Sequence, residues 1–184
     1  MERVKSDYIP RYTYEDYVQW EGKWELINGI PYAMTPSPIL NHQLISGNIY
    51  DQLLDVLKKC ADCQALLPVD WKIDASTVVQ PDNMVVCGKL SGPYLTKSPA
   101  LIFEILSPTT GYKDRNIKYE LYQKQKVKYY VVVDIDAKVA EVFELRNEKY
   151  EKICDAQTDV MEFDFGACRI KFDFADIWQI AKNK

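Results

Sequence analysis

The sequence predicts a mixed central sheet flanked by helices, in the α/β or α+β class. Three observations indicate this class: a strong hairpin signal near the N-terminus, one long amphipathic helix, and short apolar runs of strand length that alternate with helical patterns. The 184 residues are 47% hydrophobic and 27% charged, which is typical of a globular domain. Because the sequence has no internal repeat or long polar linker, we expect a single domain over residues 1–184.

The first predicted elements are a short helix and a hairpin. Residues 13–20 are predicted to be helical, with Thr13 as the N-cap and Asp16 as its acidic partner three residues later. The pair Asn28-Gly29 separates two strand-like runs and is the strongest short-range hairpin signal in the chain.

Three further helices are predicted. Residues 37–59 carry apolar side chains at helical spacing. The predicted buried face consists of Leu40, Leu44, Ile45, Ile49, Leu53, Val56 and Leu57. A helix over residues 115–125 follows Asp114 as its candidate N-cap, and a short helix over residues 174–180 ends the chain.

The other predicted elements are strands. Residues 128–134 are apolar on both faces, which favours a central strand. Pro68 is a candidate interruption of the predicted strand 66–74. The predicted strands are 23–27, 30–34, 66–74, 78–86, 100–106, 128–134, 139–145, 150–154 and a strand near 169–172.

Composition excludes several classes of protein and of site. The net charge of −4 excludes a uniformly basic nucleic-acid-binding surface. No apolar run approaches the roughly 20 residues of a membrane span, and no signal peptide is recognisable, so we expect a cytoplasmic protein without membrane contact and reduced, mostly buried cysteines. His42 is the single histidine, which excludes the two-histidine zinc motifs and favours carboxylate ligands for magnesium or manganese.

Two carboxylates and one helix face carry the chemistry. Asp82 begins an apolar strand, and Glu104 is a lone carboxylate within another, where burial is costly unless the group is paired or binds a cation. Asp114, Lys118 and Tyr122 follow at i, i+4 and i+8, on one face of the next helix.

This combination predicts metal-assisted phosphodiester hydrolysis. Carboxylates on neighbouring strands can hold a divalent cation, which polarises a phosphate oxygen and lowers the pKa of a bound water. A nearby lysine orients that water or stabilises charge on the phosphate.

The sequence resembles the Uma-type restriction endonuclease family of the PD-(D/E)XK nuclease superfamily, over about residues 12–178. Each matching segment is weakly specific, but their order and spacing together are fairly specific. The segments are Trp24-Glu25-Leu26-Ile27-Asn28-Gly29, Gln80-Pro81-Asp82, Glu104-Ile105-Leu106-Ser107-Pro108-Thr109-Thr110, Asp114-Arg115-Asn116-Ile117-Lys118-Tyr119 with Tyr122, and Tyr129-Tyr130-Val131-Val132-Val133-Asp134.

The resemblance implies a restriction-endonuclease-like fold and a Mg²⁺- or Mn²⁺-dependent endonuclease that cleaves DNA. It also implies a homodimer, because cutting both strands favours two sites. Asp82 and Glu104 would bind the metal, with Glu25 as an additional ligand. The superfamily places a lysine two residues after the second carboxylate, where this sequence has Leu106. By resemblance the following helix supplies the lysine instead, and Lys118 fits.

Each residue also has a non-catalytic interpretation. Asp82 can cap a turn, and Glu104 can form a structural buried pair with Lys118 or Arg115. Lys118 alone fits a solvated helix face, and Glu25 fits a strand position that faces water.

Three further features of the sequence each allow more than one interpretation. His42 fits a helix-surface or capping histidine, or one that contacts a phosphate. Cys60 and Cys63 have Cys-x-x-Cys spacing but lack a second pair for zinc and the strand-to-helix setting of a redox site. Residues 113–128 hold six basic and two acidic side chains, which fits a phosphate-contact patch or a solvated face.

Two other functions remain open. One is a catalytically weak or inactive nuclease-fold protein that acts as a nucleic-acid-binding or oligomerising module, which the acidic charge and Leu106 favour. The other is a carboxylate-metal hydrolase that acts on a small phosphoester.

Overall fold

A computed structural model describes residues 10–34, 39–107 and 111–179. The matching segment 108–110 and the ends of the helices predicted to begin at 37 and to end at 180 lie outside these residues. The helices are α1 (Tyr14–Tyr17), α2 (Leu40–Leu57), α3 (Tyr119–Lys124) and α4 (Phe174–Ile177), and a π-helical turn (Lys113–Lys118) leads into α3. The strands are β1 (Trp24–Ile27), β2 (Ile30–Ala33), β3 (Cys63–Leu66), β4 (Trp71–Asp74), β5 (Thr77–Val79), β6 (Asn83–Cys87), β7 (Leu101–Ile105), β8 (Tyr129–Asp134), β9 (Val139–Arg146), β10 (Lys149–Ala156), β11 (Val160–Asp164) and β12 (Arg169–Asp173).

The predicted mixed α+β class is confirmed. Six strands form the main sheet in the order β10-β9-β8-β7-β6-β3, in which only the β7–β8 pair is parallel. That pair needs a crossover connection, which the π-helical turn and α3 supply. A second sheet has the order β2-β1-β5-β4, and β11 pairs with β12.

The predicted hairpin turn and helix cap near the N-terminus are confirmed, but the helix predicted over residues 13–20 is limited to Tyr14–Tyr17. Asn28 and Gly29 have φ values of 51° and 76°, the left-handed conformation that a type I′ hairpin turn requires. The backbone N–H of Thr13 donates to Asp16 Oδ2 over 2.8 Å, as the predicted cap requires.

Two predicted strands are interrupted between the two sheets. The predicted strand 66–74 shares only Leu66 with β3 of the main sheet, whose other residues were not predicted, and after Pro68 its second half forms β4 of the second sheet. The run 78–86 is broken at Pro81, which separates β5 from β6. Because proline lacks a ladder donor, both interruptions fall where the chain passes between sheets.

Other expectations need correction. Asp114 lies inside the π-helical turn and does not cap a helix. Leu40 is 73% exposed and lies outside the buried face of α2. The strand β11 was not predicted.

The expectation of reduced thiols is wrong for four cysteines. The structure joins Cys60 to Cys168, and Cys63 to its cross-strand neighbour Cys87, as disulfides. The two cysteines of the Cys-x-x-Cys pair therefore have different partners.

The main sheet buries a hydrophobic cluster on each face. Ile49 and Leu53 of α2 pack with Phe103 against one face, while Trp71 and Tyr122 lie in the cluster on the other. β7 alternates as predicted: Phe103 faces α2, and Glu104 points to the side of the second sheet. No helix among the described residues is long and apolar enough to cross a membrane.

Candidate active site

Glu104 lies at the centre of a buried polar cluster between the two sheets. Its side chain is 3% exposed. Glu104 Oε1 accepts hydrogen bonds from Lys118 Nζ at 2.8 Å and from the Tyr122 hydroxyl at 2.6 Å. The lone carboxylate of the apolar strand is therefore paired, as the cost of its burial requires.

The π-helical turn brings the predicted helix face to Glu104. Asp114, Lys118 and Tyr122 are all buried, and Lys118 Nζ lies 3.6 Å from Asp114 Oδ1. Tyr130 of β8 donates to the backbone carbonyl of Asp114 over 2.8 Å, which fixes the turn against the sheet.

Glu25 of β1 closes the cluster from the second sheet. Its side chain is fully buried. Glu25 Oε1 lies 2.8 Å from Lys118 Nζ and accepts the backbone N–H of Gln80 over 2.9 Å. Lys113 Nζ pairs with Glu25 Oε2. Both oxygens of Glu25 are thus engaged by the protein, which favours a positioning role for Glu25 over metal ligation.

Asp82 reaches the same cluster from the segment that links the two sheets. The antiparallel register pairs Asn83 with Phe103, which sets Asp82 opposite Glu104. Asp82 Oδ2 accepts the backbone N–H of Ile105 over 2.8 Å, and its side chain keeps 18% exposure. Asp82 is therefore the more accessible of the two predicted metal-binding carboxylates.

His42 lies beside Asp82, with Nε2 at 3.3 Å from Asp82 Oδ2. One turn later on α2, Ser46 donates to the side chain of Asn83 over 3.0 Å, and Asn83 donates back to the Ser46 carbonyl over 3.2 Å. This reciprocal pair holds α2 against the start of β6. His42 is therefore a half-buried partner of the site rather than a helix-surface residue.

The charges of the cluster shift its pKa values in different directions. Burial raises the pKa of Glu104 well above its ordinary value; Lys118 acts to lower it, and the neighbouring carboxylates add to the increase. Burial also acts to raise the pKa of Glu25, but Lys118 and Lys113 reverse the shift and lower it. Burial acts to lower the pKa of Lys118, but the neighbouring groups, Glu104 and Glu25 foremost, raise it well above its ordinary value, so Lys118 is held as an ammonium.

The cluster supplies carboxylate oxygens, which are the ligand type that Mg²⁺ prefers. Four carboxylates converge with two ammonium groups; they are Asp82, Glu104, Asp114 and Glu25, with Lys113 and Lys118. When all are ionised, two negative charges are left over. No group of three or more His, Cys, Asp or Glu side chains in the described ranges is arranged to hold a metal ion. Asp82 and Glu104 would therefore bind one together with water or phosphate oxygens, as Mg²⁺ commonly does.

Lys113 is a residue of this site that the sequence did not reveal. In an ordinary helix, positions i and i+5 face different directions, so Lys113 and Lys118 were not expected to meet on Glu25. Only the wider π-helical turn places both there.

Five of the six cations of the basic run have partners within the protein, whereas Lys124 is exposed. Arg115 pairs with Asp134 and Glu141, and Lys126 pairs with Glu148. Lys128 donates to the Asp164 carbonyl.

Comparison with known proteins gives consistent results. The sequence model of the family described as "Uma2: Putative restriction endonuclease" matches residues 14–162. The uncharacterized protein slr1290 of Synechocystis is 32% identical over 124 residues, a match that spans 62% of this chain and 63% of that protein. A crystal structure titled as a putative nuclease belonging to DUF820, from Anabaena variabilis, superposes with a TM-score of 0.74 at 17% identity, covering 91% of this chain and 97% of that one. At this identity the superposition shows a shared fold.

Proposed function

This chain belongs to the Uma2 restriction endonuclease family, and we propose that it is a metal-dependent endonuclease that hydrolyses DNA phosphodiester bonds. One observation carries the proposal: Lys118 contacts Glu104 at 2.8 Å, while the strand register sets Asp82 opposite Glu104. Two carboxylates and one ammonium group thus converge where the two sheets meet.

Asp82 and Glu104 are the residues that would hold Mg²⁺ or Mn²⁺. When bound, the ion would polarise a phosphate oxygen and lower the pKa of the attacking water. Asp82 is held for this by the Ile105 N–H and His42.

Lys118 supplies positive charge to the scissile phosphate. Its ammonium lies among Glu25, Glu104 and Asp114, so it stays protonated and cannot act as a general base. Charge placed in advance inside a buried site stabilises a developing negative charge more strongly than it would in water. The lysine absent from position 106 is thus replaced in function by Lys118, and Glu25 fixes its position.

DNA as the substrate and a homodimer complete the proposal, whereas the two disulfides count against the expected cytoplasmic location. Support for DNA comes from the family description, and the homodimer follows from the need for one site per strand.

Nicking of supercoiled plasmid with Mg²⁺ or Mn²⁺ tests the proposal. Wild type is compared with Glu104→Gln and with Glu120→Gln, which alters an exposed carboxylate on α3. We expect metal-dependent nicking by wild type and Glu120→Gln and its loss in Glu104→Gln. Folded protein that fails to nick with either metal would favour the binding module, and equal nicking by all three proteins would place the active site elsewhere.

A further inference from the structure

A pocket lies next to the buried polar cluster, on the far side of Gln80. Its volume is about 350 Å³, within the range of small-molecule binding sites. Gln80 belongs to both places, because its backbone N–H binds Glu25 and its side chain lines the pocket. Asp82 follows two residues later, so its Cα lies no more than about 7 Å from that of Gln80.

Three aromatic side chains form the apolar wall of this pocket. The ring centroids of Trp20 lie 5.7 Å from Tyr17 and 5.6 Å from Trp24, at interplanar angles of 69° and 63°. All three rings are half-buried. The Trp24 indole N–H donates to the Glu21 carbonyl over 2.7 Å, which fixes its ring. The wall therefore offers fixed aromatic surface to a planar ligand.

The polar side of the pocket presents hydrogen-bond acceptors on Asp70 and Gln80, and Lys23 also lines the pocket. Asp70 Oδ1 accepts from the Tyr17 hydroxyl at 2.9 Å and from Gln80 Nε2 at 2.6 Å. Because Nε2 faces Asp70, the amide oxygen of Gln80 is left as an acceptor. Within the described parts of the chain, Asp70 Oδ2 and Gln80 Oε1 have no hydrogen-bond partner.

We infer that this pocket binds a nucleobase of the substrate strand, with guanine preferred, and this inference rests on the proposed nuclease function. Aromatic rings stack on any base. The two free acceptors select for adjacent N–H donors, which guanine carries at N1 and N2, whereas thymine has one such donor. The closeness of Gln80 and Asp82 places the bound base next to the scissile phosphate.

Calorimetric titration of the full chain with dGMP and dTMP in EDTA tests the inference. We expect saturable binding of dGMP at least about fivefold tighter than of dTMP, the lower range for one specific base contact. Trp20→Ala removes a stacking surface and should weaken dGMP binding about tenfold, while Trp20→Phe retains it. Asp70→Asn replaces an acceptor with a donor and should abolish the preference for dGMP.

The outcomes separate this inference from the nuclease proposal. Plasmid nicking without saturable dGMP binding would contradict the guanine site and support the nuclease proposal. Saturable dGMP binding without nicking would support the guanine site and contradict the nuclease proposal. If circular dichroism shows that Trp20→Ala is unfolded, the dGMP affinities of Trp20→Phe and Asp70→Asn still test the inference. A guanine preference that survives Asp70→Asn would overturn the inference. Displacement of dGMP by tetramethylammonium would do so too, because it would identify an aromatic cage for a quaternary ammonium ion.

Discussion

Lys118 and Glu25 form a buried ion pair, with Nζ and Oε1 2.8 Å apart, that joins the π-helical turn to the second sheet. The same ammonium is 2.8 Å from Glu104 on the main sheet. One lysine thus holds a carboxylate from each sheet. Because the pair is buried, it makes the geometry of the site depend on the packing of the two sheets.

Removing Glu25 should destabilise the fold strongly. Glu25→Ala leaves Lys113 and Lys118 without their shared partner, and breaking one side of a buried pair costs roughly 3–5 kcal/mol. Urea denaturation measures this loss, with the exposed Glu162→Ala on β11 as the control, expected within about 0.5 kcal/mol of wild type. A loss for Glu25→Ala no larger than that of the control would contradict the assigned role of Glu25.

The contribution of Glu25 should vanish in acid. Its pKa in the folded protein lies below the ordinary value of 4.5, so its stabilisation is complete above that value and is lost as pH falls through the folded pKa. Protonation of Glu104, whose pKa is raised, has the opposite effect and favours the folded protein as the pH falls. The difference in free energy of unfolding between wild type and Glu25→Gln isolates Glu25 and should shrink below about pH 4.5. A difference that grows as the pH falls would contradict the lowered pKa of Glu25.

Part of the site could be predicted from sequence because it depends on local spacing. Glu104 is conspicuous as a lone carboxylate in an apolar strand, and the spacing from Lys118 to Tyr122 correctly predicts their shared direction. The meeting with Glu25 could not be predicted, since it depends on how two separate sheets pack. Their roles in catalysis stay predictions.

The division of strands between sheets was also beyond the sequence. The apolar runs on both sides of Pro81 have the same strand character, and only long-range pairing decides that β5 joins β1 while β6 joins β7. A lone proline indicates an interruption but does not say which sheet each half enters.

Binding of a metal ion should be measurable as an increase in the melting temperature of the protein. An ion that binds the folded protein and not the unfolded chain stabilises the folded state, so Mg²⁺ should raise the melting temperature of wild type. At ten times its Kd the ion contributes about 1.4 kcal/mol, equivalent to roughly 3–6 °C for a chain of this size. Differential scanning fluorimetry in EDTA and in Mg²⁺ measures the shift.

Asp82→Asn is the matched variant for this measurement. It keeps an acceptor for the Ile105 N–H but removes a negative charge. It should therefore lose most of the Mg²⁺ response. A Mg²⁺ shift in Asp82→Asn equal to that of wild type would exclude Asp82 as a ligand.

Lys118 should be needed for cleavage more than for DNA binding. Lys118→Met keeps the length of the side chain but removes its charge, and loss of one such stabilising group lowers the rate about 10²- to 10³-fold. Plasmid nicking rates measure the effect, and a filter-binding assay in Ca²⁺ should show DNA affinity within a few-fold of wild type. Lys124→Met, which alters an exposed lysine on α3, should nick at the wild-type rate. If folded Lys118→Met nicks as fast as Lys124→Met, Lys118 serves only to hold Glu25 and Glu104 together, and the charge at the scissile phosphate comes from another residue.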